Sequence, residues 1–89
     1  MWRLNPECSL HYRHWGNEWV VFDTGSGQTH QMDTVAAVAL MCCENGWISL
    51  PDMIAGVMAD LDLPCADVLV AILPPLLDQF AALEILEYA

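Results

Sequence analysis

The sequence predicts an α+β fold. A three-stranded antiparallel β-meander packs on a three-helix bundle, in the order βββααα, within one domain over residues 1–89. Three observations carry that prediction. The hydrophobic period switches from two to about 3.6 near Asp33. Two turn signals, Gly16-Asn17 and Thr24-Gly25-Ser26-Gly27, cut the first third of the chain into short extended segments. Apolar residues make up 56% of the chain, enough for a dense core in so small a domain and too many for disorder.

Residues 1–9 show no clear period and read as an N-terminal arm in which Trp2 and Leu4 pack. Leu10–Trp15 alternates and is rich in aromatics, and Glu18–Asp23 has the β-branched and aromatic content of a central strand. Gln28–Met32 is the third strand, the shortest and most polar, and two successive hairpins make the meander. A sheet of this size with one apolar face needs cover. Asp33-Thr34 offers an N-cap to an Ala-rich helix over Val35–Cys43. That helix has almost no polar residue, which predicts burial on most sides, and Asn45-Gly46 supplies a left-handed stop.

Ser49-Leu50-Pro51-Asp52 is a capping-box-like start for a second helix, with Pro51 harmless in its first turn. Ile54, Val57, Met58 and Leu61 recur on its apolar face, and Leu63-Pro64 breaks it. A third helix follows from about Cys65, with Leu69, Ile72, Leu73, Leu76, Leu77 and Phe80 stepping by three and four. Pro74 and Pro75 sit inside that stripe, and each lacks the N–H a helical bond needs, so a kink or break is expected near Leu73. The register of the stripe survives across it, which favours a kink. Leu83–Glu87 returns to apolar/acidic alternation.

Arg3 and Arg13 are the only basic side chains apart from histidine, against twelve Asp and Glu, for a net charge of −10. Nucleic-acid binding rests on cations that neutralise phosphates, so that class is excluded. The same field steers basic partners inward, although scattered carboxylates also serve simply to solvate a surface. Asp67, Asp78, Pro74 and Pro75 interrupt every apolar run short of a membrane span. Arg3, Asn5, Pro6 and Glu7 come too early for a secretory signal, so a cytoplasmic location is expected.

The four cysteines form no C-x-x-C pair, and Cys42 and Cys43 diverge on one helix. Nothing in the spacing of Cys8, His11, His14 and Cys65 demands a site, so no metal or other cofactor is expected and the thiols read as buried and inert. Ser26 lacks the strand-to-helix context of a nucleophile elbow, and its loop lacks a phosphate-binding lysine. His11 and His14 fall on opposite faces of their strand. No catalytic set assembles, and the chain does not read as an enzyme.

The hairpin holding Trp15 and Glu18-Trp19-Val20-Val21-Phe22-Asp23 leads to Gly27-x-Thr29-His30-x-x-Asp33. An Ala-rich helix, a Ser49-Leu50 start, an Asp62-Leu63-Pro64 connection and a closing Leu83-x-Ile85-Leu86-Glu87 follow. In this order, from Leu10 to Glu87, the chain resembles the PqqD-like family, in particular the small chaperone-type members of HPr-kinase-related peptide-modification systems. The resemblance implies a winged-helix-like fold that binds the leader segment of a precursor peptide and presents it to a modifying enzyme. It also implies that the peptide adds as a strand beside Gln28, Thr29, His30, Gln31 and Met32, and packs on Leu69, Ile72, Leu73, Leu76 and Phe80. An edge strand with unpaired N–H and C=O groups suits β-augmentation. The ordinary reading of the helical stripe is core, with two or three members shared with a groove. The alternative function is a protein–protein scaffold, or a homodimerising subunit, that docks a folded partner through the same edge.

Overall fold

The computed structural model describes residues 1–89. Eight elements follow one another: β1 (Trp2–Leu4), β2 (Leu10–Trp15), β3 (Glu18–Asp23), β4 (Gln28–Asp33), α1 (Thr34–Cys42), α2 (Leu50–Leu61), α3 (Asp67–Ala82) and β5 (Leu86–Tyr88). The expected meander is β2-β3-β4, antiparallel throughout, with β3 central. Three helices follow it, so the α+β class stands. The third strand of the meander, β4, runs six residues to Asp33 and matches β2 and β3 in length, so it is not the shortest.

Strands β1 and β5 are additions to the βββααα order. They pair antiparallel as a separate two-stranded sheet, with Arg3 opposite Glu87. The Arg3 guanidinium donates from Nε (3.0 Å) and Nη2 (2.9 Å) to one Glu87 oxygen and lies 4.7 Å over the Trp47 ring. On its other side β1 exchanges two backbone bonds with Ile48, at 2.9 and 2.8 Å. Residues 2–4 are thus a strand held on both sides, and Trp2 and Leu4 pack on the core.

Register fixes the two faces of the meander, because directly opposed residues point the same way. Leu10, Tyr12, Trp19, Val21, His30 and Met32 face the helices; His11, Arg13, Trp15, Val20, Phe22 and Gln31 form the open face. Helix α1 fills the space between this sheet and the other two helices. Asp33 caps its N-terminus, accepting a 2.9 Å bond from the Ala36 N–H. Ala36, Ala37, Val38, Ala39 and Leu40 are all buried in succession, as a helix without a polar face requires. Met53 and Val57 from α2, and Leu69, Leu73, Leu77 and Phe80 from α3, complete the core with Ile85 and Leu86.

One boundary differs from expectation. Helix α1 ends in a right-handed cap at Cys43, and the left-handed Gly46 (φ 118°) turns the chain only three residues later. The reason lies in β1: the Leu4 N–H takes the Cys43 carbonyl at 3.0 Å, so a tertiary bond closes the helix. Helix α3 is unbroken, with both prolines inside it. The carbonyls deprived of N–H partners belong to Val70 and Ala71, both exposed, so water can satisfy them.

Pro75 is exposed on the solvent side of α3. Pro75→Ala restores a donor to the Ala71 carbonyl and is expected to stabilise the domain by about 2 kcal/mol. Calorimetry should show the thermal midpoint rising by roughly 10 °C; a lower midpoint would contradict this account of the unbroken helix.

Candidate functional site

Strand β4 is an edge of the meander, so one side of its backbone has no neighbouring strand. Alternation sends Gln28, His30 and Met32 toward the helices and Thr29 and Gln31 to the open face. Helix α3 runs past this edge, and between them lies a hollow of about 310 Å³. His30 and Met32 supply its strand side, Leu76, Gln79, Phe80 and Leu83 its helix side, and Ala36 contributes from α1. It is a half-apolar groove with backbone along one lip.

The predicted strand residues all lie on this lip: Gln28, Thr29 and Gln31 exposed, His30 and Met32 half-buried. The predicted helix residues divide. Leu76 and Phe80 line the hollow. Leu69 and Leu73 do not; they are buried in the core, 1% and 0% exposed, because their part of the helical stripe points at α1 and α2. Ile72 is 38% exposed and lies one turn before Leu76 on the same side of the helix, beyond the hollow. The sequence reading missed Gln79 and Leu83. Both fall on the Leu76 face, at three and seven residues' distance. Gln79 was hidden by its polarity, and Leu83, 53% exposed, by its place at the helix end.

His30 carries the sharpest chemical feature of the groove. Its Nε2 is buried and has no hydrogen-bond partner within the chain. A buried polar atom left unpaired costs about 1–3 kcal/mol. The atom is closed to solvent in the free chain, so a ligand group recovers that penalty only where the β4 edge opens to admit it.

The β3–β4 loop beyond Gln28 is held by Asp23, the one buried acidic residue. Its Oδ1 accepts from the N–H groups of Ser9 (3.0 Å) and Gly25 (2.9 Å), and its Oδ2 from the Ser26 hydroxyl (2.8 Å). The Ser9 bond above all, with those of Ser26 and Gly25 and against the opposing effect of burial, holds this carboxyl down at about 2. A carboxylate so tightly held is a poor base for Ser26. The loop also passes close to Glu7: a Cβ on Gly25 would overlap the Glu7 carbonyl oxygen, so only glycine fits.

The thiols are all free. Burial, with the nearby Asp23 carboxylate, pushes Cys8 up to about 11; burial pushes Cys43 up to about 12 and raises Cys42. These three are protonated and unreactive at neutral pH. Cys65 departs from the expectation of burial and is exposed in the connection before α3. His11 lies on the open face, whereas His14 stacks on Trp19 at 4.4 Å between ring centroids, on the opposite side of the sheet. No group of three or more His, Cys, Asp or Glu side chains is arranged to hold a metal ion.

No protein-family model, curated protein or solved structure matches the chain.

The Ser9 N–H and its companions hold the Asp23 carboxyl down at about 2 from its ordinary 3.8, so its stabilisation is present above pH 4 and lost as pH falls toward 2. Asp23→Asn is expected to be less stable at pH 7 by about 2 kcal/mol. In urea melts that gap closes between pH 4 and pH 2; a constant gap would show that the charge of Asp23 plays no part.

Proposed function

We propose that this chain is a non-catalytic peptide-binding adaptor: it takes the leader segment of a precursor peptide as an added strand beside β4 and presents it to a modifying enzyme. The observation that carries the reading is the pairing of a free strand edge with a groove walled by α3. Main-chain bonds to β4 give such a ligand affinity, while alternate side chains enter the hollow over Phe80 and Leu76. The unpaired His30 Nε2, closed to solvent in the free chain, adds a point of recognition where the edge opens on binding. The resemblance to the PqqD-like family leads to the same edge and the same helix, and the winged-helix-like description and cytoplasmic location belong to this proposal. No helix is long and apolar enough to cross a membrane.

One observation favours a second reading, docking of a folded partner or a second copy. The open face of the meander leaves Trp15 64% and Phe22 41% exposed beside Arg13, with nothing packed over them. In an adaptor this face is available to the enzyme while the peptide occupies the β4 edge.

Titration of the isotope-labelled protein with leader peptides encoded beside its own gene tests the proposal. Saturable NMR shifts concentrated on Gln28–Met32 and on Leu76, Gln79, Phe80 and Leu83 support it. An unchanged spectrum at near-millimolar peptide, with the fold intact, overturns it. His30→Leu separates binding from folding by sign. Removing the orphan nitrogen leaves stability equal or raises it by about 1 kcal/mol, while peptide affinity falls by about tenfold; a variant that loses stability and keeps affinity contradicts the role given to His30.

A further inference from the structure

The charges around the β4 edge specify the ligand more narrowly than the groove alone. The hollow between β4 and α3 adjoins two others. At the Asp33 end it shares Gln31, Met32 and Asp33 with a hollow of about 450 Å³ on the open side of the sheet, where Glu18 lies. At the Gln28 end it shares Leu83 with a polar hollow of about 160 Å³ that holds Glu7, Asp23 and Glu84. Concave surface therefore borders every residue of the strand except Thr29. No Lys or Arg lines any of the three.

Both cations of the chain are placed elsewhere. Arg3 is paired with Glu87 in the β1–β5 sheet, and Arg13 lies on the open face beside Phe22 and Val20. Of the carboxylates at the two ends, Asp23 and Asp33 are committed to backbone N–H groups. The side chains of Glu7, Glu18 and Glu84 make no hydrogen bond or ion pair within the chain. Two of them sit at one end of β4 and one at the other. Six residues of strand set these ends roughly 17 Å apart.

Resting on the adaptor reading above, we infer that the peptide bound beside β4 is cationic: an extended apolar segment with a Lys or Arg at each end, about five residues apart. Its centre meets Met32, Leu76 and Phe80, and its ends meet Glu18 on one side and Glu7 with Glu84 on the other. Glu18 stands on β3, one strand behind the edge, so the added strand lies roughly 10 Å from it. A long Lys or Arg side chain closes that gap to within a Debye length at physiological salt, whereas an acidic peptide meets repulsion at both ends.

Three capped synthetic peptides test this, sharing one Val/Thr/Leu centre matched to β4 and ending in Lys, Gln or Glu at both termini. The probe is each peptide alone, titrated into the full chain with the β4 amides as readout. The expected order of affinity is Lys over Gln over Glu, with about tenfold between the first two. That gap shrinks in about 0.5 M salt and in the Glu18→Gln/Glu84→Gln double variant, whose circular dichroism verifies its fold. Equal affinities with shifts still on β4 overturn the charge inference and leave the adaptor reading standing. A Lys preference unchanged in the double variant also overturns it, because the attraction then comes from the overall charge and not from these carboxylates. No β4 shift with any of the three peptides, while an encoded leader binds there, overturns the charge inference alone; no shift with the leader either removes both.

Discussion

The structure depends on one constraint, the burial of a helix that has no polar face: Ala36–Leu40 of α1 are buried in succession and its other four residues half-buried. Its alanines let strands and helices approach closely on every side, and its backbone satisfies itself internally, so nothing polar obstructs the packing. Sheet, α2 and α3 each cover one flank. Its ends are then the only places that need other partners. Asp33 supplies one, from the last residue of β4, and Leu4 of β1 supplies the other.

The groove follows from that arrangement. Because α1 begins where β4 ends, the strand leads straight into the core helix, and α3 packs on that helix and faces the strand across the hollow. The meander has two edges, β2 and β4, and of these β4 has the helical wall. Leu73, Leu77 and Phe80 anchor α3 in the core, while Leu76, Gln79 and Leu83, turned a little around the same helix, line the hollow. Core and groove thus use adjacent arcs of one helix.

The fold class and its meander could be read from the sequence, because period and turn chemistry are local signals. Asp33 and Ser49 were recognisable as helix caps for the same reason. The β1–β5 sheet was not: three-residue strands carry too little alternation to register, and their partner lies at the far end of the chain. The unbroken path of α3 through Pro74 and Pro75 depends on which carbonyls face water, a tertiary fact. The groove was legible on its strand side, where the lip is consecutive sequence. On the helix side an apolar stripe alone cannot separate Leu73, wholly core, from Leu76, shared with the groove.

The central claim is that the β4 edge, and not β2, is the place where an extended peptide adds to this sheet. Amide hydrogen exchange on the complex with a saturating peptide tests it most directly, since it reads backbone pairing strand by strand. The account predicts that outward amides of Gln28–Asp33 exchange rapidly in the free protein and become protected on binding, with Leu10–Trp15 unchanged. Protection acquired on β2, or a bound peptide that protects neither edge, contradicts it.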